Sequence, residues 1–288
     1  MNFKFLLAKA MSILPDKVYL SLIYAIRMKK IMNWNNPKSF SEKLQWMKVY
    51  DHNPLYTKLV DKYEMKEYVD QMIGPGHTVP TLGIWESVNE VDFSKLPERF
   101  VIKGTHDSGS VIICKDRSTF DEKRTRTKLQ NSLDTNLYYL SREWPYKHVP
   151  HRIIAEEYME SKDKSTLTEY KLFCFDGEVK MVLVCKGLAH SNQRTNDFCD
   201  LNLDRYPFTS LFPNSQGDLK KPEQYDELLQ YASVLSKGLP EVRVDAYVFD
   251  DKIYFGELTF FHNSGIRRFE PDEWDYKIGE WVKLPQKR

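Results

Sequence analysis

The N-terminal part of the chain carries apolar residues at helical spacing. Over residues 3–32 the apolar positions recur every three or four residues, and Pro15 interrupts them once. This pattern predicts two helices that pack on the main body of the protein. The basic residues in this stretch leave open a second interpretation, an amphipathic helix that touches an anionic membrane surface. These basic residues are Lys4, Lys9, Lys29 and Lys30.

Two further helical patterns follow, each with its own start signal. Ser39 and Glu42 have the spacing of a capping box and stand ahead of a run of apolar positions. Asn53-Pro54 supplies an N-cap residue followed by proline at the first helical position. This last helical stretch is predicted to run through Lys62 and to stop at Gly74-Pro75-Gly76, where turn residues cluster.

From residue 78 onward the pattern changes to short β-rich runs bounded by turn residues. Asp176-Gly177 and Asp250-Asp251 each separate two such runs, which predicts two hairpins. Residues 186–220 are polar and irregular and are predicted to form a long functional loop or lid. Because the strands come mostly in hairpins, the predicted fold class is α+β with antiparallel sheets. The predicted strands cover residues 79–85, 100–103, 111–114, 152–156, 167–175, 179–185, 242–249 and 252–260, and the later helices cover 121–133, 222–237 and 271–281.

The charge balance and the cysteines narrow the class of protein. The 288 residues contain 42 Lys plus Arg against 41 Asp plus Glu, and a net charge of +1 argues against binding nucleic acid through phosphate attraction alone. No apolar run reaches the roughly 18 residues of a membrane span. Lys9 interrupts the N-terminal apolar run and no cleavage site follows it, so a cytoplasmic location is predicted. The cysteines form no C-x-x-C pair and are read as buried free thiols, with a disulfide as the alternative; they are Cys114, Cys174, Cys185 and Cys199.

A loop of small and polar residues between two apolar strands is the first candidate for chemistry. The run FVIK ends in Lys103, and the segment GTHDSGS separates it from the next apolar run. Glycines let backbone N–H groups approach an anion, and a lysine at a strand end neutralises phosphate. An ordinary hairpin with a flexible tip is the alternative. His106, inside this loop, is either a donor to a phosphate or acyl-phosphate oxygen or a solvated loop histidine.

Two carboxylates on the last predicted hairpin are the second candidate. The separations of Asp245 and Glu257 from the turn at Asp250-Asp251 differ by one residue, so a bulge or a longer turn is needed to align them. Two carboxylates among apolar neighbours repel each other unless a cation or protons compensate, and hard oxygen ligands of this kind suit Mg²⁺. Two solvated strand carboxylates are the alternative.

The run IIAEEYM at residues 153–159 is the third candidate, an apolar strand that ends in acidic residues. Such a hinge between a strand and a loop can offer backbone groups to an adenine edge, while a carboxylate binds ribose hydroxyls. For this segment taken alone, a surface acidic cluster is the alternative.

A lysine loop, an acidic hinge and a terminal carboxylate hairpin follow one another in the order of an ATP-grasp enzyme. The chain resembles the TupA-like ATP-grasp family in the stretches DKYEMKEYV, FVIKGTHDSGSVII, IIAEEYM, EYKLFCFDGEV and RVDAYVFDDKIYFGELTF. The resemblance implies an ATP-grasp fold, in which two α+β subdomains with antiparallel sheets clasp ATP, behind an N-terminal helical extension. It divides the chain into a helical region at 1–77, a lid subdomain at 78–158, and a C-terminal subdomain with the metal-binding hairpin at 159–288.

The resemblance also implies which residues bind the nucleotide. Lys62 and Lys103 would contact the phosphates of ATP, and Glu169 would bind the ribose. Lys171 stands two residues beyond Glu169 and is therefore expected on the same side of its strand. The lid loop over the phosphates would include Gly104, Ser108, Gly109 and Ser110, and the adenine would be lined by Glu156, Glu157, Tyr158 and Met159.

For the metal and the reacting phosphoryl group, the resemblance implies residues of the last hairpin. Asp245 and Glu257 would bind Mg²⁺, and Arg243 would face the transferring phosphoryl group. Many ATP-grasp ligases have Glu-x-Asn where this chain has Glu257-Leu-Thr259, so Thr259 is the expected further ligand and a second Mg²⁺ is in doubt. Asn263 is the alternative source of the amide.

The activity implied by the resemblance is that of an ADP-forming carboxylate–amine ligase, with Arg243, Lys171 and His106 at the reaction centre. Its substrates would be a small-molecule or glycan carboxylate and an amine, in bacterial capsule or surface-polysaccharide synthesis. Two alternatives stay open: an ATP-grasp kinase of a glycan hydroxyl, and a catalytically silent nucleotide-binding partner of a glycosyltransferase complex. Neither a nucleic-acid partner nor stable membrane insertion is expected.

Overall fold

The computed structural model describes residues 11–160, 168–187 and 194–287 of the chain. Within these residues, two antiparallel sheets are flanked by helices, as the predicted α+β class requires. The start of the predicted N-terminal helical stretch and part of the predicted loop at 186–220 lie outside the described residues. None of the described helices is long and apolar enough to cross a membrane.

Four helices precede the first strand in the described part of the chain. The predicted capping box is present at the second of them. The Ser39 hydroxyl accepts the Glu42 N–H at 3.2 Å, and the Glu42 carboxylate accepts the Ser39 N–H at 3.1 Å. The Asn53 side chain accepts the Leu55 N–H at the start of the third helix. The helices are α1 (Asp16–Met28), α2 (Phe40–Tyr50), α3 (Leu55–Val60) and α4 (Glu64–Ile73).

The predicted helical stretch through Lys62 is broken at that residue. The Asp61 carboxylate accepts the backbone N–H groups of Tyr63 at 2.8 Å and Glu64 at 3.4 Å, so it caps the start of α4. Asp61 is fully buried and also pairs with Arg152 at 2.7 Å. Because Arg152 comes from a distant part of the chain, a tertiary contact helps to fix this break.

The first sheet is formed by β1 (Thr81–Trp85), β2 (Phe100–Gly104), β3 (Ile112–Cys114) and β4 (Ile153–Glu157). Its strands lie in the order β1-β4-β2-β3, and every pair is antiparallel. The sheet has a hydrophobic cluster of its own, which packs against α5 (Glu122–Leu133). The glycine-containing loop of the first candidate site connects β2 and β3.

The second sheet has five antiparallel strands in the order β7-β6-β5-β8-β9. The larger hydrophobic core lies on this sheet and includes apolar residues of the N-terminal helices. The strands are β5 (Glu169–Phe175), β6 (Glu178–Lys186), β7 (Thr195–Cys199), β8 (Val242–Phe249) and β9 (Lys252–Thr259). The remaining helices are α6 (Tyr138–Ser141), α7 (Tyr225–Leu235) and α8 (Glu273–Trp281).

Both predicted hairpin turns are confirmed. Asp176-Gly177 joins β5 to β6, Asp250-Asp251 joins β8 to β9, and all four turn residues have positive φ. The register of the second hairpin shifts between Asp245 and Ala246, and this irregularity places Asp245 opposite Glu257. The bulge that the sequence required to align the two carboxylates is therefore present.

The prediction of an irregular loop over 186–220 is wrong for its middle part, which contains strand β7. The sequence pattern does not predict this strand because it contains asparagine and aspartate, which are uncommon in strands. Asp197 is fully buried there, and its Oδ1 accepts from Arg205 Nε at 2.6 Å and from the backbone N–H of Ser215 at 3.0 Å. All four cysteines are buried and free, as predicted.

Candidate active site

One face of the second sheet carries a row of polar and charged side chains on three neighbouring strands. Lys171 on β5 is the register partner of Asp245 on β8, which in turn stands opposite Glu257 on β9. Arg243 precedes Asp245 by two residues and stands opposite Thr259. Because paired positions present their side chains on the same face of a sheet, all five project together.

Asp245, at the centre of this row, is held by two cations. Its carboxylate accepts hydrogen bonds from Arg243 Nε at 2.6 Å and Arg243 Nη2 at 2.7 Å, and it also pairs with Lys171 Nζ. Only 3% of Asp245 is exposed, and a carboxylate so buried requires partners of this kind. Burial alone would lower the pKa of Arg243, but the ion pair with Asp245 raises it above its ordinary value.

Glu257 is the more open of the two carboxylates, with a side chain that is 31% exposed. Its Oε1 accepts the Thr259 hydroxyl at 2.5 Å and lies 3.7 Å from Arg243 Nη2, while its Oε2 lies 3.8 Å from Lys62 Nζ. Burial would raise the pKa of Glu257, but the charges of Lys62 and Arg243 outweigh it and bring the pKa to about 2. Glu257 is therefore ionised at neutral pH.

Glu169 adds a third carboxylate to the row. Its Oε1 accepts from Lys171 Nζ at 2.8 Å and from the Tyr247 hydroxyl at 3.1 Å, and its Oε2 lies 3.4 Å from Arg194 Nη2. Burial acts against ionisation, but the charge of Lys171 lowers the pKa of Glu169 below its ordinary value. The predicted placement of Glu169 and Lys171 on one side of β5 is confirmed.

On the first sheet, Glu156 holds two lysines. Its Oε2 pairs with Lys103 Nζ from β2 at 2.5 Å, and its Oε1 pairs with Lys66 Nζ from α4 at 2.5 Å. Glu156 is 5% exposed. Burial would raise its pKa, but the two lysines hold the pKa of Glu156 below its ordinary value. In this structure Lys103 is thus held by a carboxylate, and its contact with a phosphate stays a prediction.

Lys62 connects the two sheets. Its backbone N–H donates to the Thr105 carbonyl at 3.0 Å, and its Nζ donates to the Asp107 carbonyl at 2.5 Å, so it is fixed to the loop between β2 and β3. The same Nζ lies 3.8 Å from Glu257 on the second sheet. The break in the helix at Lys62 is what allows one residue to make both sets of contacts.

Hydrogen bonds around Asp107 hold the loop between β2 and β3. The Ser110 hydroxyl donates to Asp107 Oδ1 at 2.6 Å and accepts the Gly104 N–H at 2.8 Å, and the Ser132 hydroxyl donates to Asp107 Oδ2 at 2.6 Å. Gly104 has no room for a side chain, since a Cβ there would lie 2.3 Å from Ser132 Oγ. At the tip of the loop, Ser108 and Gly109 are exposed, and Gly109 has a φ of +97° that only glycine adopts readily.

His106 lies beneath this loop and is 2% exposed. Its ring stacks on His151 with centroids 3.9 Å apart, and its Nε2 lies 3.0 Å from the Ser132 carbonyl oxygen. Burial and the neighbouring His151 lower the pKa of His106, which favours the neutral ring. The predicted contact of His106 with a phosphate or acyl phosphate therefore stays a prediction, and it requires the loop to open.

The predicted adenine hinge leaves β4 at an exposed residue. Glu157 is exposed, and its N–H donates to the Pro80 carbonyl at 3.1 Å. The Tyr158 ring is flanked by Arg99 at 5.4 Å and Lys115 at 5.6 Å. Met159, which follows, is half-buried. The role of these residues and of Glu156 at the adenine stays a prediction.

Three residues at the site were not singled out from the sequence. Lys66 stands four residues after Lys62 in the stretch DKYEMKEYV, and this spacing is a signal that could have marked it. Its partner Glu156 is distant in the sequence, so the ion pair could not be predicted. His262 accepts a hydrogen bond from Arg243 Nη1 at 2.7 Å and is therefore neutral, with a pKa lowered by burial. Tyr146 is buried, and its pKa is raised by burial and by the charge of Glu257. Nothing local in the sequence marks either His262 or Tyr146.

The two sheets together present five cations around carboxylates, an arrangement suited to a polyphosphate with a divalent cation. The described residues contain no group of three or more His, Cys, Asp and Glu that could hold a metal by themselves. Two opposed carboxylates and a hydroxyl nevertheless fit Mg²⁺, which keeps several waters and takes further oxygens from substrate phosphates. The cations are Lys62, Lys66, Lys103, Lys171 and Arg243, and the oxygen donors are Asp245, Glu257 and Thr259.

The chain is similar to a known protein family and to several solved structures. A family model described as "TupA-like ATPgrasp" matches residues 42–283. Among solved structures, the chain is similar to D-alanine–D-alanine ligase from Bacillus anthracis complexed with ATP, at 15% identity and a TM-score of 0.43, with 76% of this chain and 57% of that chain covered. The chain thus spans little more than half the length of that ligase.

Two other solved structures show similarity at the same level. The ATP-grasp ligase PsnB complexed with its minimal precursor is 11% identical, with a TM-score of 0.42, and 88% of this chain and 69% of that chain are covered. The D-cycloserine synthetase DcsG is 16% identical, with a TM-score of 0.43, and 80% of this chain and 72% of that chain are covered. A search of curated proteins found no match.

Proposed function

The chain belongs to the TupA-like ATP-grasp family, and on that premise we propose that it is an ADP-forming carboxylate–amine ligase. The observation that carries the proposal is Lys62, which joins the loop of the first sheet to Glu257 on the second. A nucleotide held between the sheets would meet cations from both. The division into helical region, lid subdomain and C-terminal subdomain is part of the same proposal.

ATP is proposed to lie between the two sheets, with its phosphates at Lys62 and Lys103. Both lysines are anchored by the protein and are largely buried, with side chains 10% and 15% exposed, so each loses little further freedom on binding a phosphate. The adenine would lie against the hinge that begins at Glu156, and Glu169 would accept the ribose hydroxyls. The exposed tip at Ser108 and Gly109 would close over the phosphates.

The oxygen donors on β8 and β9 would hold Mg²⁺. When bound, the ion would neutralise negative charge on the phosphates. Asp245 is held by Arg243 and Lys171 in this structure, and these two cations would lie beside the phosphoryl group. Since Thr259 replaces an amide in the expected ligand set, one ion is proposed.

The proposed chemistry requires positioning and charge more than a protein nucleophile. A carboxylate oxygen of the substrate attacks the γ-phosphorus, the bond to the β–γ bridging oxygen breaks, and ADP leaves. Arg243 and Lys171 stabilise the negative charge on the transferring group. The amine then attacks the carbonyl carbon of the acyl phosphate, inorganic phosphate leaves, and the amine loses a proton. Exclusion of water by the loop protects the acyl phosphate from hydrolysis.

The proposed acceptor is an acidic sugar or amino acid used for a surface polysaccharide, with a glycosyltransferase as a proposed partner and the cytoplasm as the proposed location. Two arginines flank β7, Arg194 and Arg205, and they differ in how firmly the protein holds them. Arg205 is held by the buried Asp197, whereas Arg194 lies 3.4 Å from Glu169 and 5.6 Å from the Phe212 ring. Arg194 is therefore the better candidate to meet an anionic acceptor.

The test is a screen for ADP release from Mg·ATP with uronic acids and amino acids, alone and in pairs. A ligase releases ADP at a sustained rate only when carboxylate and amine are both present, and mass spectrometry then shows an amide. ADP release with a hydroxyl acceptor alone, and a phosphorylated product, would indicate the kinase instead. If the protein binds ATP but forms no ADP with any pair, and the E257Q variant behaves identically, the ligase proposal fails.

A further inference from the structure

The outward face of α1 is apolar. Val18, Leu22 and Ile26 follow one another at four-residue spacing and are 45%, 48% and 70% exposed. The opposite face of α1 is buried, so the helix is apolar on both faces. A surface helix of a water-soluble domain normally presents polar residues outward, and a contiguous exposed apolar face marks a contact site. Ile13 and Ile31, beyond the two ends of α1, are themselves 88% and 91% exposed.

A basic, aromatic cleft of about 560 Å³ adjoins α1. The Trp34 Nε1–H donates to the Ser21 hydroxyl at 2.8 Å, which ties the wall of the cleft to α1. Lys17 of α1 lies over the Trp34 ring at 5.5 Å. None of the described residues that line the cleft is acidic. Its lining includes Trp34, Lys38, Trp46, Lys283, Leu284 and Lys287.

We propose that the outward face of α1 and this cleft together dock on the surface of an anionic phospholipid bilayer. The apolar side chains of α1 would enter the boundary between headgroups and acyl chains, as the apolar face of an interfacial helix does. The half-buried Trp34 ring in the wall of the cleft would lie near the headgroup level, which tryptophan side chains favour. The lysines of the cleft complement lipid phosphates.

The charge of this surface favours a bilayer over a second copy of the chain. In a two-fold dimer through this face, the lysine-rich cleft would meet its own equivalent, and like charges would face each other without acidic partners from the cleft. Lys283 and Lys287 are exposed beside Leu284, so apolar and cationic groups alternate along the rim. An anionic bilayer offers acyl chains to the apolar groups and phosphates to the lysines.

The docking face is one helix away from the proposed catalytic hairpin. In α2, Trp46 lines the cleft, while the neighbouring Gln45 side chain donates to the Gly265 carbonyl at 3.0 Å in the segment that follows β9. Lys48 of the same helix donates to the Ser264 carbonyl at 2.9 Å. Docking through α1 and the cleft would therefore hold the proposed active site at a fixed distance from the bilayer.

The experiment is co-sedimentation of the full chain with vesicles of phosphatidylcholine alone and of phosphatidylcholine with phosphatidylglycerol. We expect binding to the anionic vesicles that weakens as salt is added, and little binding to the neutral ones. The L22E variant should reduce the partition coefficient by about tenfold or more, since it removes an exposed leucine that would enter the bilayer and adds an anion. The matched control is M72E, which places the same charge on an exposed apolar position of α4 that is 40% exposed.

A second pair of variants tests the cleft. K283A/K287A should weaken binding to anionic vesicles, whereas K95A/K123A, which removes two exposed lysines of the first-sheet region, should not. The proposal is overturned if wild type does not bind, if M72E and L22E behave alike, or if binding is equal on neutral vesicles. A protein that is dimeric without lipid, and becomes monomeric only with L22E, would assign the face to a second copy. A melting temperature lowered by L22E as far as by a core substitution would show that the chain itself covers the face.

Discussion

Asp245 and Glu257 stand directly opposite each other across β8 and β9, although their distances from the turn differ by one residue. The irregularity after Asp245 absorbs the difference and brings the two carboxylates to one face. Lys171, Arg243 and Lys62 then surround them, so the repulsion expected between two adjacent carboxylates is already compensated in this structure. In the proposed complex, Mg²⁺ would add to this compensation.

For E257Q we expect activity to fall by about two orders of magnitude or more, because one formal charge at the proposed metal is lost. The free energy of unfolding should fall by about 1–3 kcal/mol, since the lowered pKa of Glu257 means that its charge favours the folded state, but the protein should remain folded. The measurements are Mg·ATP-dependent ADP formation and urea unfolding without metal. E178Q, which alters an exposed ion-paired glutamate, should leave both unchanged. A stable E257Q protein with wild-type turnover would remove Glu257 from the metal site.

For K103M we expect ATP affinity to fall by at least about tenfold, which corresponds to the loss of a charge-assisted contact of about 1.5–3 kcal/mol. The fold should persist because Glu156 retains Lys66 as a partner. Isothermal titration with ATP is the measurement, and K95M, at a lysine whose side chain is 83% exposed, is the control. Equal ATP affinity in K103M and wild type would contradict the phosphate contact.

The K66M/K103M variant should lose more free energy of unfolding than K66M and K103M lose in sum. In K66M/K103M, a carboxylate that is 5% exposed would have neither ion-pair partner, and such a buried charge destabilises by about 3–5 kcal/mol. Adding E156Q to the double variant should restore much of the loss. Urea unfolding of the singles, the double and the triple variant measures this coupling. Simple additivity would mean that Glu156 is solvated.

Glu241 should make stability fall as pH rises from about 5 to 8. Burial raises the pKa of Glu241 to about 8 from an ordinary value of 4.5. Between these values the folded protein retains a proton that the unfolded chain has lost, so folding is increasingly opposed as pH increases. E241Q should remove this contribution, whereas the exposed E223Q should not. Urea unfolding at pH 5, 6, 7 and 8 compares them, and parallel pH profiles for E241Q and wild type would refute the assignment.

G279A should destabilise the junction between α8 and the start of α2. A Cβ at Gly279 would lie 2.4 Å from the Lys38 carbonyl oxygen and 2.7 Å from the Phe40 nitrogen, both backbone atoms. Forcing these helices apart should cost about 1–3 kcal/mol. Thermal unfolding is the measurement, and E280A, at the adjacent exposed position of α8, should change stability by less than about 0.5 kcal/mol. Equal melting temperatures for G279A and wild type would rule out the close approach.

Features decided within a few residues could be predicted from the sequence. The capping box at Ser39 and Glu42, the turns at Asp176-Gly177 and Asp250-Asp251, and the bulge beside Asp245 depend on local hydrogen bonds, φ preferences and a count of residues. The α+β class followed from the hairpins, and the family from the ordered motifs. Strand periodicity was sufficient to place Glu169 and Lys171 on one side of β5.

Which charged groups meet depends on how the elements pack. Lys103, Lys66 and Glu156 converge from β2, α4 and β4, and His262 reaches Arg243 from the segment after β9. The caps and turns could be read from the amino-acid sequence because they depend on residues that are close together in the chain. Ion pairs, strand β7 and the break at Lys62 depend on residues far apart in the chain, whose contacts exist only once the two sheets and the helices have packed.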